Sequence, residues 1–304
     1  MSTVSIIGLV GMSFSGSTVL NYVLGAHPGV YGGSELYRLI DTDPSRHCGC
    51  SWCHNGCAVL TKERIATLNK VNFYTSLAQF TGKNKIVDTS KNLPWFEDVF
   101  PRQEGQDVSL SLLLLTKHPL RQLAAYMGWE RDYLYKCGLR SIVKRMLVDP
   151  GTAFSRQKMH LSYWLDVMIA FYDGFDSSPL ARNTLHWRVK YEDFVTSTAD
   201  ALANPLQFLG LEFQPDAINY HTYEQHGVGG NGGVIRMINT QERIERFRNR
   251  SADYILDFYD NCEGLTLDNS FRDAFSQETI DWITDLPKYR RLCERLAYGA
   301  HIAE

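Results

Sequence analysis

The sequence predicts a three-layer α/β fold, a central parallel sheet flanked by helices, carried as a single domain over residues 1–304. Three observations point there. Continuous apolar runs at Val4–Val10 and Ser111–Leu115 read as strands buried on both faces, as parallel strands are. The first run stops at a Gly-Ser-rich turn and gives way to helical periodicity, the order of a βα unit. No repeat, low-complexity tract or Pro/Gly/Ser-rich linker divides the chain. With 44% hydrophobic, 12% aromatic and 21% charged residues, the composition is that of a globular protein able to bury a core.

The elements follow in order. After strand Val4–Val10, a helix begins near Ser17; Val19, Leu20, Val23 and Leu24 recur at helical spacing, and Ala26-His27-Pro28-Gly29 ends it. Lys85–Val87 leading into Asp88, and Ser111–Leu115 leading into Thr116 and Lys117, read as central strands. A fourth strand is expected over Thr184–Tyr191, then a helix from about Thr198 to Leu209 with Pro205 as an irregularity. Segments 138–175 and 240–300 read as mostly helical, with Tyr163, Trp164, Val167, Met168 and Phe171 as a core-facing stripe. In such sheets ligands bind at the carboxyl ends of the strands, where the polar residues after each run fall.

The charge balance restricts the partners. Against 31 Lys and Arg stand 34 Asp and Glu, a net charge of -3, which gives no general attraction to nucleic acid or anionic membrane. Any basic site must be local. The first apolar run lacks a basic leader and is far below the ~20 residues of a membrane span, so a soluble cytoplasmic protein is expected.

Gly11-Met-Ser-Phe-Ser-Gly-Ser-Thr18 has two glycines five apart and a Ser-Thr pair opening a helix. Such a loop turns backbone N–H groups toward a phosphate at a helix N-terminus. Its spacing is that of a P-loop, but Ser17 stands where the nucleotide-triphosphate lysine would be. Phosphate binding is expected and triphosphate hydrolysis is not.

Together with this loop, four further segments in the same order make the chain resemble the sulfotransferases that use 3′-phosphoadenosine 5′-phosphosulfate (PAPS), notably the bacterial small-molecule and tyrosyl-protein-like branches. After the loop come His27-Pro28 and Gly32-Gly33-Ser34-Glu35; then Leu112–Leu115 running into Lys117-His118-Pro119; then Tyr191-Glu192-Asp193-Phe194 with Phe208-Leu209-Gly210; and finally Gly230-Asn231 with Arg236. The resemblance implies a P-loop-type fold and transfer of a sulfuryl group from PAPS to a small organic acceptor, leaving adenosine 3′,5′-bisphosphate (PAP). The acceptor group is a hydroxyl in preference to an amine, on a metabolite such as a natural product.

By the same resemblance Ser13, Phe14, Ser15, Gly16, Ser17 and Thr18 hold the 5′-phosphosulfate side of the donor. Lys117, Arg121 and Arg236 clamp the 3′-phosphate, and Tyr191 and Asn231 belong to the same donor site. Glu35 is the implied general base, a carboxylate expected to have a raised pKa. Asp88 and His226 are its reserves, and Lys91 stabilises charge near the sulfuryl group. No metal is required if the protein supplies these donors. The chain departs from the family at Phe14, where Arg or Lys is usual, at Ala125, where a serine is common, and at His118, which replaces an Asp as a structural change.

Regions 40–80 and 126–180 are expected as lid and acceptor insertions, their Tyr and Trp residues suiting a partly apolar pocket. Within the first, His47-Cys-Gly-Cys-Ser-Trp-Cys-His-Asn-Gly-Cys57 gathers Cys48, Cys50, Cys53 and Cys57. A small zinc knuckle, a reduced lid loop such as some bacterial sulfotransferases carry, and a local disulfide all remain open, and no metal is assigned. Two other classes compete with the transferase. A P-loop kinase or NTPase predicts ATP and Mg²⁺ dependence, and a degenerate nucleotide-binding protein predicts PAP binding without turnover.

Overall fold

The computed structural model describes residues 3–41, 53, 57–103, 105, 107–129, 139–149, 151–231, 234, 265 and 274–299. They fall into two compact units: Met1–Leu115 with Pro179–Val189 and Asp193–Thr266, and Thr116–Ser178 with Lys190–Glu192 and Leu267–Glu304. None of the described helices is long and apolar enough to cross a membrane.

The first unit is built on a five-stranded sheet of order β2-β3-β1-β4-β5. Strand β1 (Val4–Gly11) is central and pairs in parallel with β3 (Lys85–Lys91) and β4 (Val108–Thr116), while β2 (Val30–Ser34) pairs in parallel with β3. Strand β5 (His186–Lys190) closes the far edge. Ile6, Ile7, Leu9, Val10 and Leu112 to Leu115 are fully buried, which is why these strands read as continuous apolar runs. Around the sheet lie α1 (Ser17–Gly25), α2 (Arg38–Asp41), α3 (Lys62–Thr67), α4 (Phe73–Thr81) and α5 (Leu93–Val99).

Helix α1 is buried almost all round; only Val19 on it reaches partial exposure. His27 closes it: Nδ1–H donates to the Val23 carbonyl at 3.0 Å, and Nε2 accepts the Gln214 N–H at 3.1 Å. The His-Pro helix end is therefore a structural clasp.

The second unit is helical: α6 (Pro119–Trp129), α7 (Leu139–Val148) and α8 (Arg156–Ser177) come from the 116–178 stretch. The chain returns to the first unit through α9 (Pro179–Asn183) and continues after β5 into α10 (Tyr191–Thr196) and α11 (Thr198–Phe208, with Pro205 inside). Helices α12 (Gln277–Asp285) and α13 (Pro287–Arg295) complete the second unit. Inside it, Asp149 is 4% exposed and accepts from Ser162 Oγ and Lys288 Nζ, while Lys288 also reaches Asp166 at 2.8 Å.

Three expectations need correction. The strand after residue 85 runs on to Lys91, so Asp88 lies inside it rather than beyond it. Strand β2 was not expected: it has five residues, two of them glycines, and offers no apolar run. On α8 the helical period holds but the buried face is Leu161, Leu165, Met168, Tyr172 and Phe175; of the expected stripe only Met168 is buried, because neighbouring helices select the face. The helical expectation over residues 240–264 falls outside the described residues.

Candidate active site

The Gly11–Thr18 loop sits at the carboxyl end of β1 and opens α1. Gly16 has φ 92°, a left-handed conformation open to glycine and strained for other residues, and it turns the chain into the helix. Phe14, beside it, holds φ 66° without that freedom. Ser15, Ser17 and Thr18 are buried, Ser13 is exposed, and Phe14 and Gly16 are half-buried. The Ser15 hydroxyl is buried with no hydrogen-bond partner among the described residues. An orphaned hydroxyl in a glycine turn at a helix N-terminus fits an anion bound against the loop.

The Gly-Asn segment is brought onto this loop. Asn231 N–H donates to Thr18 Oγ1 at 3.0 Å, and Ser34 Oγ donates to the Gly229 carbonyl at 3.3 Å. Backbone bonds Val228 N–H to Gly33 O (2.9 Å) and Glu35 N–H to Val228 O (2.8 Å) lay the 227–231 segment along the end of β2. Loop, Gly-Glu segment and Gly-Asn segment thus meet, while Arg236 lies outside the described residues.

Glu35 stands just past β2 and is 8% exposed. Its Oε1 accepts from Lys91 Nζ at 3.0 Å and its Oε2 from Arg38 Nε at 2.6 Å. Burial alone would raise this carboxyl, but the Lys91 and Arg38 cations hold it below the ordinary glutamate value of 4.5. The expectation of a raised pKa is therefore corrected: the carboxylate is flanked by two cations instead of being isolated in an apolar pocket. Arg38 had no part in the sequence reading; its only signal was the Glu35-x-x-Arg38 spacing that joins neighbours on one helical turn. Ser34 and Lys91 have φ 61° each, so strained backbone gathers at the ends of β2 and β3, as it does at functional sites.

Asp88 is fully buried in β3 and accepts four hydrogen bonds. Ser90 N–H (2.8 Å) and Ser90 Oγ (2.5 Å) address Oδ1, while Tyr74 OH (2.9 Å) and Trp95 Nε1–H (3.0 Å) address Oδ2. Burial raises its pKa and those donors pull it back. With its lone pairs taken and no exposed surface, Asp88 is an internal brace and not a reserve base. His226 is also unsuited to that role: Nε2 lies 3.0 Å from Glu224 Oε1, and Nδ1 lies 3.5 Å from both Cys53 Sγ and Cys57 Sγ. Cys48 and Cys50 lie outside the described residues.

In the second unit, Lys117 and Arg121 are 3% and 4% exposed, which is unusual for cations. Lys117 Nζ lies 4.7 Å from the centre of the Tyr191 ring, a cation–π contact. Arg121 Nε lies 3.5 Å from Glu192 Oε1, which also accepts the His118 backbone N–H at 3.0 Å; Glu192 Oε2 accepts from Tyr298 OH at 2.7 Å. His118 Nδ1 accepts the Leu120 N–H at 3.3 Å and Nε2–H donates to the Gly299 carbonyl at 3.1 Å. It caps the start of α6 as an aspartate would, which explains the exchange structurally. Glu192 entered the sequence reading only within the Tyr191-Glu192-Asp193-Phe194 motif and Tyr298 not at all, since nothing local joins residues 106 positions apart.

No protein-family model matches the chain, and no curated protein matches it in sequence. Solved structures do. The sulfotransferase domain from the Synechococcus PCC 7002 olefin synthase is similar at a TM-score of 0.51 and 19% identity, covering 98% of this chain and 96% of that one. The sulfotransferase domain from the curacin biosynthetic pathway gives a TM-score of 0.48 at 15% identity, covering 98% and 99%. Retinol dehydratase in a complex with retinol and PAP gives a TM-score of 0.36 at 15% identity, covering 94% and 81%. At 19% identity the likeness to the olefin synthase domain is one of fold.

Proposed function

From a chain with the sulfotransferase fold, we propose a cytoplasmic enzyme that transfers a sulfuryl group from PAPS to a hydroxyl of a small organic acceptor. The observation that carries this reading is the Gly11–Thr18 loop: a glycine turn ending in a helix N-terminus, an orphaned Ser15 hydroxyl inside it, and Ser17 where a triphosphate-handling loop needs lysine. On that reading residues 1–304 act as one catalytic domain, with 40–80 and 126–180 framing the acceptor.

The loop residues Ser13 to Thr18, with Asn231 on Thr18, would hold the 5′-phosphosulfate side. Lys117, Arg121 and Arg236 are the proposed cations for the 3′-phosphate, the Lys117 ammonium lying 4.7 Å from the centre of the Tyr191 ring. When bound, the donor supplies a sulfur that exchanges its bond to the phosphate oxygen for one to the acceptor oxygen, leaving PAP. The acceptor proton passes to Glu35, which is already ionised across the neutral range because Lys91 and Arg38 hold its pKa down. Lys91 stands beside that carboxylate and supplies positive charge where the acceptor is deprotonated.

Calorimetric titration tests the donor site without an acceptor. Purified protein binds PAP and not ATP with Mg²⁺, and Lys117→Ala weakens PAP binding about tenfold or more, the loss of a charged contact of 1.5–3 kcal/mol. Binding of ATP alone would place the loop with the kinases, and binding of neither would leave the fold without the function.

A further inference from the structure

The cysteine segment and the 224–228 segment, far apart in sequence, meet at His226. Cys53 Sγ and Cys57 Sγ each lie 3.5 Å from His226 Nδ1, and the three atoms lie within 4.8 Å of one another. Cys57 is 2% exposed. The other ring nitrogen, Nε2, lies 3.0 Å from Glu224 Oε1, and an ionised carboxylate can only accept. Nε2 therefore carries the proton, and Nδ1 turns a lone pair toward the two sulfurs.

One lone pair accepts one good hydrogen bond, yet two sulfurs stand at the same distance from it. A shared cation accounts for both. For tetrahedral zinc, with Zn–S about 2.3 Å and Zn–N about 2.05 Å, the sulfur-to-nitrogen edge is about 3.6 Å, close to the spacing seen here. The Leu60 backbone N–H donates to Cys57 Sγ at 3.3 Å and so fixes where that sulfur points. The Glu224 carboxylate behind Nε2 supplies the outer-shell acceptor that orients a metal-bound imidazole.

We propose that Cys53, Cys57 and His226 bind a structural Zn²⁺, with Glu224 as the positioning residue behind His226. The two cysteines bind as thiolates, releasing their protons to solvent, and the fourth tetrahedral position falls to a donor beyond these three. The ion ties the cysteine segment to the strap whose Val228 bonds the backbone of Gly33 and Glu35. The site is independent of the sulfuryl-transfer reading.

The test is metal analysis of the full chain purified under reducing conditions without chelator, which gives about one zinc per chain. Cobalt in its place gives a thiolate charge-transfer band and tetrahedral d–d bands. Cys57→Ser and His226→Ala lower zinc occupancy about tenfold or more, and Glu224→Gln weakens zinc affinity about 10–100-fold in chelator competition. Absence of bound metal together with absence of a cobalt charge-transfer band overturns the proposal. So does full zinc in His226→Ala, which would put the ion in the cysteine segment alone. Should both ligand variants fail to fold, unchanged zinc affinity in Glu224→Gln rejects the His226 site.

Discussion

Glu35 shows how two neighbours reverse what burial alone would do. A carboxyl at 8% exposure should resist ionisation, yet Lys91 and Arg38 keep it charged and below the ordinary value of 4.5. The linkage has a definite sign. Because the folded pKa is depressed, the stability from this group is fully present above the unfolded value and is lost as pH falls through the folded one. On the proposed reading catalysis shares that limb: kcat/KM for sulfuryl transfer should stay level down to below pH 4.5, with an acid limb set by Glu35. Lys91→Ala removes one of the two cations while burial remains, so the acid limb moves upward. Glu35→Gln lowers kcat about 10²–10⁴-fold. A pH–rate profile of the three proteins decides it, and an acid limb unmoved in Lys91→Ala would take the base role from Glu35.

Asp88 ties strand β3 to its neighbours, gathering Tyr74 from α4, Trp95 from α5 and Ser90 from its own strand. In Asp88→Asn one oxygen becomes an amide NH₂ facing two donors, whichever way the amide turns. One of the two is an N–H that cannot accept, while the hydroxyl beside it can turn to do so, so one hydrogen bond is lost and one N–H faces the NH₂, at a cost of about 1–3 kcal/mol with some relief from removing the buried charge. Denaturant unfolding should show that loss in the midpoint with little change in slope; a loss below about 1 kcal/mol would mean the brace is dispensable. The β1-loop-α1 unit could be read from sequence because an apolar run, a glycine turn and a helical period are all local signals. Strand β2 could not, since two of its five residues are glycines. The Thr18–Asn231 and His226–Cys57 pairings span 213 and 169 positions, and no local pattern carries a contact of that separation. The buried face of α8 shifted for a related reason: periodicity fixes a helix, but its neighbours choose which side is covered.

At the level of the whole chain, a net charge of -3 offers no general pull on a polyanion, so binding of a bisphosphate nucleotide must come from local groups. A ligand held by the folded chain alone stabilises it by mass action, about 2.7 kcal/mol at a hundred times its Kd. For a protein of this length that is a rise in Tm of roughly 5 °C. Thermal unfolding with PAP at that excess should show the rise, and ATP with Mg²⁺ should not. Gly16→Val puts a branched side chain at φ 92°, where even a Cβ is strained, so the turn that opens α1 must reshape. The variant should lose the PAP-dependent rise whatever its own starting Tm. A rise that survives in Gly16→Val would show that PAP is held elsewhere than the loop, and equal rises with PAP and ATP would remove the distinction on which the missing loop lysine depends.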